Sequence, residues 1–178
     1  MDRIALIRHR LEDSREQYGR NEYVDIIRTG IDESWDALAS RVDFESASLY
    51  VFSKRSQSLH KLSEYGGGVN FINLVAFDYG PGLSGWVAKK QRPVYLADIH
   101  RGTRHGHAPI RSYLSQPINS HEDVIGVMNL AHTEPNAFER QQMAVIRSYI
   151  ENLKPILEIY QRYHHVARTP AKNDFTRR

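Results

Sequence analysis

The side chains with the clearest chemical potential lie in one glycine-containing segment, residues 98–109, with the sequence DIHRGTRHGHAP. Imidazole nitrogens are common ligands of zinc, haem and copper, whereas guanidinium groups favour an anion. The segment carries both kinds of group: His100, His105, His107, Arg101 and Arg104. Its one carboxylate is Asp98, so a complete metal site needs further ligands from elsewhere. We interpret the segment as an exposed loop at the rim of a site. Ligand contact and a metal or haem site are the alternatives, and no residue is assigned to a metal.

Catalytic chemistry has little support in the residue types. The chain contains no cysteine, which excludes disulfides, thiolate zinc sites, cysteine nucleophiles and thioether-linked chromophores. Ser84 follows Gly82-Leu83 and precedes Gly85, but the segment lacks the full spacing of a nucleophile elbow. We interpret Ser84 as a helix-capping residue and expect no enzymatic activity.

The composition is that of one domain with an ordinary core. The chain has 178 residues, of which 40% are hydrophobic and 25% charged. No apolar run approaches the roughly 18 residues of a membrane span, and no secretory signal is evident, so we expect a cytoplasmic protein without membrane contact. The net charge of +3 comes largely from the last residues, and no basic stripe interleaved with aromatics is present. Nucleic-acid binding is therefore not expected.

Hydrophobic periodicity and turn residues predict an α+β fold. The order of elements indicates an antiparallel sheet of about five to six strands, flanking helices and a long C-terminal helix. Residues 1–20 are expected to be a helical extension, 21–158 the domain, and 159–178 the helix end and a disordered basic tail. The predicted helices are 1–20, 22–41, 83–91 and one starting near 136 or 137, and the predicted strands are 47–53, 59–65, 69–78, 94–97, 112–118 and 124–131.

The C-terminal helix carries apolar or aromatic residues at alternating three- and four-residue steps, which is a heptad pattern. The seam consists of Met143, Ile146, Ile150, Leu153, Leu157, Tyr160 and His164. Pro155 lies within it and predicts a kink. We interpret the seam as the interface of a homodimer formed through the terminal helices, with packing against the N-terminal helix of the same chain as the alternative.

Several segments together resemble the signature of GAF domains. They are GPGLSGWVAKKQRPVYLAD at 80–98, RSYLSQPI at 111–118, VIGVMNLAH at 124–132, and Phe138, which is expected to open the last helix. The resemblance extends over residues 23–157. It implies a cup related to the PAS and profilin-like folds, in which the sheet is the floor and a short helix and loops form the rim. Members bind cyclic nucleotides, tetrapyrroles, haem or metabolites, so the resemblance does not name a ligand or cofactor.

Applied to this chain, the resemblance disfavours two known activities. In cyclic-nucleotide-binding members an Asn-Lys pair and a later acidic pair occur, whereas here Asn129 is followed by Leu130, and Gln142 and Met143 stand in the acidic positions. Reduction of free methionine sulfoxide by GAF proteins uses cysteines, which are absent. The residues we expect to contact a ligand are Phe77, Trp86, Asp98, His100, Arg104, His105, His107 and Tyr113.

The sequence therefore predicts a non-catalytic signalling module. It would bind an unidentified small molecule or a partner signalling protein and respond through its terminal helices. A metal or haem sensor using the histidine-rich loop and a purely structural dimerisation module remain as alternatives.

Overall fold

The computed structural model describes residues 3–13, 20–66, 82–100 and 110–166. Four helices and five strands occur in these ranges, and their types match the predicted elements. In chain order they are α1 (Arg3–Asp13), α2 (Arg20–Ala39), β1 (Ser46–Ser53), β2 (Ser58–Tyr65), α3 (Gly82–Lys90), β3 (Val94–Leu96), β4 (Ser112–Ser120), β5 (Asp123–His132) and α4 (Arg140–Val166). The predicted strand at 69–78 lies outside the described residues.

The strands form one antiparallel sheet in the order β2-β1-β5-β4-β3. The α+β class and the antiparallel sheet are therefore confirmed. The turn between β4 and β5 is shorter than the four or five residues predicted. It contains only His121 and Glu122, and His121 adopts a φ of 54°, the left-handed conformation that two-residue hairpin turns require.

The two faces of the sheet carry different side chains because successive strand residues point to opposite sides. On β1, Leu49 and Val51 enter a large apolar core shared with α2 and α4. Ser48 and Tyr50 lie on the other face, where α3 packs against β4 and β5. The chain thus has an apolar helical layer on one side of the sheet and a polar surface under a short helix on the other.

The heptad seam of α4 is buried within the chain. Ile146, Leu153 and Leu157 are fully buried in the core formed with α1, α2 and the sheet, and Ile150 and Tyr160 are also buried. The side chain of His164 lies outside the described residues. Intramolecular packing accounts for the seam, so homodimer formation stays a prediction without this support.

The start of the last helix differs from the prediction. Asn136 has a φ of 58°, which a non-glycine residue inside a right-handed helix does not adopt, and Phe138 is buried ahead of the helix rather than inside it. Helix α4 begins only at Arg140 and continues through Pro155. The missing backbone donor of Pro155 therefore does not end the helix.

Close packing of α4 on the sheet depends on Gly126 of β5. A Cβ atom at this position would lie 2.6 Å from the carbonyl oxygen of Tyr50 and 3.4 Å from Cδ1 of Leu157. The first contact is with backbone of the neighbouring strand, which cannot rotate away. Glycine at 126 thus allows β1, β5 and α4 to approach one another.

Candidate functional site

Helix α3 covers the polar face of the sheet. Gly82 begins the helix with a φ of 68°, a conformation that glycine adopts without steric cost. Leu83, Val87 and Ala88 are buried against the sheet, while Lys89 and Lys90 at the last turn are exposed. Ser84 is also buried, and its hydroxyl faces the strands. Local glycine conformation and an apolar stripe therefore place one hydroxyl of α3 over the centre of the sheet.

A fully buried amide, Asn129 of β5, organises the polar groups beneath α3. Its Oδ1 accepts hydrogen bonds from the hydroxyl of Tyr113 at 2.9 Å and from Oγ of Ser115 at 2.7 Å. Its Nδ2 donates to Oγ of Ser48 and to Oγ of Ser84, both at 3.0 Å. All four hydrogen-bonding positions of the amide are therefore used.

The network follows from strand register. Asn129 pairs with Ser48 on β1 and with Ser115 on β4, so three polar residues stand side by side across the middle of the sheet. We call this surface the polar floor, and its members, all on the α3 face, are Ser46, Ser48, Tyr50, Tyr113, Ser115 and Asn129.

The two tyrosines of the polar floor are neutral at physiological pH. Burial raises the pKa of Tyr113 to about 12, against a smaller opposing effect of its hydrogen bonds with Ser84 and Ser115. Burial also raises the pKa of Tyr50, with the ammonium of Lys61 acting in the opposite direction. The polar floor therefore offers hydroxyl and amide groups without a formal charge.

Two apolar clusters flank the polar floor. One joins Leu83 of α3 to Ala131 of β5, together with Tyr113 and Ile110. The other joins Val87 and Ala88 of α3 to Val124 and Val127 of β5. The site is a band of hydrogen-bonding groups bordered by apolar side chains, the composition that small-molecule sites commonly have.

Two of the predicted ligand contacts reach this region. Tyr113 is part of the hydrogen-bond network. Trp86 is half-buried on α3 and packs against the second apolar cluster, next to Phe52 and Leu59. The predictions for Phe77, Arg104, His105 and His107 concern positions outside the described residues.

Asp98 and His100 lie at the stem of the histidine-rich segment. Oδ1 of Asp98 accepts from Nε of Arg111 at 2.8 Å and from Nη2 of the same residue at 2.5 Å. Nε2 of the exposed His100 is 3.4 Å from the other carboxylate oxygen. The backbone N–H of Ile99 also donates to the carbonyl oxygen of Arg111 at 2.7 Å, so the chain before and the chain after the segment are joined at this point. In the described structure Asp98 thus acts as a clamp across the base of this segment.

Sequence reasoning missed the residues at the centre of the site. Ser84 was interpreted as a helix cap, but its hydroxyl bonds across to Asn129. In the sequence, Asn129 drew attention only as the first residue of the Asn-Lys pair of cyclic-nucleotide-binding members, a pair that Leu130 does not complete. The available signal was the alternation of Ser46 and Ser48 on one face of a strand whose other face is apolar.

Within the ranges that the structure describes, no three His, Asp or Glu side chains converge as metal ligands would. Across these same ranges, each helix is too short or too polar to pass through a bilayer.

Comparison with known proteins places the fold. A family model described as the GAF domain matches residues 25–158. The GAF domain of a phosphoenolpyruvate-protein phosphotransferase from Acinetobacter is similar at 17% identity, with a TM-score of 0.61 and 96% of each chain covered. The GAF domain of a two-component sensor histidine kinase from Bacillus halodurans has 16% identity and a TM-score of 0.60, covering 79% of this chain and 97% of that one.

The chain is also similar in structure to an enzyme, a type II free methionine-R-sulfoxide reductase from Thermoplasma acidophilum. It has 16% identity and a TM-score of 0.61, and the match covers 77% of this chain and 96% of the reductase. Identities this low establish a common fold and not a common activity. No curated protein matches the chain. Because the family model spans most of its length and the sheet and helices agree with these neighbours, the chain belongs to the GAF domain family.

Proposed function

We propose that this GAF domain is a non-catalytic sensory module that binds a small molecule between α3 and the polar floor. The observation that carries the proposal is the buried network around Asn129. Buried polar groups are costly unless they are satisfied, and a domain that needed only a stable core would favour apolar side chains here. The opposite face of the same strands carries such apolar side chains, Leu49, Met128 and Leu130 among them.

A route from the site to the terminal helices supports a signalling role. Gln161 of α4 donates from Nε2 to the carbonyl oxygen of Phe52 at 2.8 Å and to that of Ile125 at 3.3 Å. The side chain of Phe52 packs in the apolar cluster under α3. A ligand that displaces α3 would therefore press on strands whose backbone α4 holds directly, and a partner protein that contacts α4 would respond.

The absence of cysteine supports the non-catalytic assignment. Thiol chemistry, which includes the reduction of methionine sulfoxide by cysteine-dependent enzymes of this fold, is closed to the chain. None of the six members of the polar floor is an imidazole or a carboxylate, so the floor itself supplies no base that activates one of its hydroxyls as a nucleophile.

The proposal is tested by thermal unfolding in the presence of a broad metabolite panel, combined with native mass spectrometry of the protein as purified. A ligand of this site raises the melting temperature in proportion to the logarithm of its concentration. The effect should weaken in Ser84→Ala, which removes the α3 hydroxyl of the network. It should persist in Ser40→Ala, the same change at an exposed position after α2.

Two results would contradict the proposal. One is a panel in which no compound stabilises the protein while its native mass is that of the bare chain. The other is a set of stabilising compounds that act equally well on Ser84→Ala and on Ser40→Ala.

A further inference from the structure

We infer that Ser46, at the start of β1, is a ligand-binding residue and that it selects a small apolar molecule bearing one uncharged amide or hydroxyl group. The inference rests on the proposed function and specifies the chemical class of its ligand.

Ser46 carries a buried hydroxyl without a partner. The residue is only 3% exposed, and within the part of the chain that the structure describes its Oγ makes no hydrogen bond. Buried hydroxyls are nearly always paired, so an unpaired one calls for a reason. A serine retained here at the expense of stability, where alanine would fit the strand, is explained by a hydrogen bond made only in the liganded state.

Ser46 lies on the face of the sheet that forms the candidate site. Ser46 lies two residues before Ser48, on the same face of β1, and Ser48 accepts a hydrogen bond from Asn129. Across the sheet Ser46 pairs with Ala131, which packs with Leu83 in the first apolar cluster. The free hydroxyl therefore stands where the hydrogen-bond network meets an apolar patch.

The remaining capacity of the polar floor sets the class of ligand. Asn129 has no hydrogen-bonding position left for a ligand, and among the hydroxyls of the polar floor that of Ser46 is the one without a partner in the described part of the chain. A single hydroxyl satisfies one carbonyl, amide or hydroxyl group. A buried carboxylate, phosphate or ammonium needs an opposite charge or several hydrogen bonds, whereas the polar floor carries no formal charge and Ser46 offers a single hydroxyl. The part of the ligand against Ser46 is thus polar but uncharged, next to an apolar body.

The first arm of the test measures stability without any ligand. Ser46→Ala should unfold at the same temperature as the wild type or higher, because it removes an unsatisfied hydroxyl. Ser48→Ala, the same substitution two residues along the same strand face, should unfold at a lower temperature because its hydroxyl is bonded to Asn129. If Ser46→Ala is destabilised as much as Ser48→Ala, its hydroxyl is already satisfied in the free protein and the inference is wrong.

The second arm uses benzamide as the probe and benzoate as its charged isostere, with binding measured by titration calorimetry or ligand-observed NMR. Benzamide joins an apolar ring to one neutral amide, so it should bind more tightly than benzoate. Its affinity should fall about fivefold in Ser46→Ala, the loss expected for one neutral hydrogen bond. The surface control Ser40→Ala should leave the affinity unchanged.

Failure of this inference can be told apart from failure of the proposed function. Equal or tighter binding of benzoate, no binding of benzamide, or equal benzamide affinity in Ser46→Ala each overturns the assigned ligand class. In any of these cases the proposed function still stands if a panel compound stabilises the wild type and loses that effect in Ser84→Ala.

Discussion

Replacing Asn129 by alanine should destabilise the protein severely, although its side chain lies on the face of the sheet opposite the main apolar core. The change removes an amide that makes four hydrogen bonds, and it leaves the hydroxyls of Tyr113, Ser115, Ser48 and Ser84 to find other partners. At about 1 kcal/mol for each bond, the four bonds together amount to about 4 kcal/mol. Hydroxyls can rotate and partly pair with one another, so we expect a loss of about 3 kcal/mol.

That loss is large compared with the total stability of a typical domain, about 5–15 kcal/mol. It is measured by urea unfolding, followed by tryptophan fluorescence and by far-ultraviolet circular dichroism. The midpoint should fall while the slope of the free energy against urea stays constant. The matched control is Asn21→Ala, the same substitution at an exposed position in the first turn of α2, which should change stability by less than about 0.5 kcal/mol. A loss below about 1 kcal/mol in Asn129→Ala would refute the view that this amide organises the site.

Three further predictions concern the packing, the pH response and the spectroscopy of the protein. Gly126→Ala should cost about 1–3 kcal/mol in urea unfolding, since its Cβ would lie 2.6 Å from the carbonyl oxygen of Tyr50. Stability should fall as the pH rises above 10, because Tyr113 ionises at its usual pKa of 10.0 when unfolded but at about 12 when folded. The contribution of Tyr113 to this loss, complete above its folded pKa, is about 3 kcal/mol and should disappear in Tyr113→Phe, while that of Tyr50 remains. An unchanged alkaline profile in that variant would contradict the assignment. Ligand binding should alter the emission of Trp86, half-buried on α3, and not that of Trp35, which is fully buried on α2, so Trp86→Phe should abolish the fluorescence response.

The fold was largely predictable because its signals are local. Alternating apolar residues and β-branched runs identify strands, and glycine next to the apolar stripe of Leu83 and Val87 identifies α3. The end of the β4–β5 hairpin was less well placed because two polar residues, His121 and Glu122, suffice for the turn. Polar residues on the exposed ends of both strands look like loop in a sequence.

The site was harder to predict because it depends on register between distant segments. Ser48 and Asn129 stand opposite each other although 81 positions separate them, and nothing local to either residue specifies that pairing. The seam of α4 illustrates the same limit. A heptad pattern indicates that Ile146 and Leu153 pack against apolar side chains, but it does not indicate whether those side chains belong to the same chain or to a second copy.

The most direct test of ligand binding on the polar floor is a two-dimensional 1H–15N NMR titration with a compound that raises the melting temperature. The predicted result is a shift of the side-chain amide resonances of Asn129, accompanied by the backbone amides of Ser48 and Ser84 and by smaller changes along α4. Shifts confined to residues of α1 and α2, with the Asn129 amide unmoved at saturation, would contradict ligand binding on the polar floor.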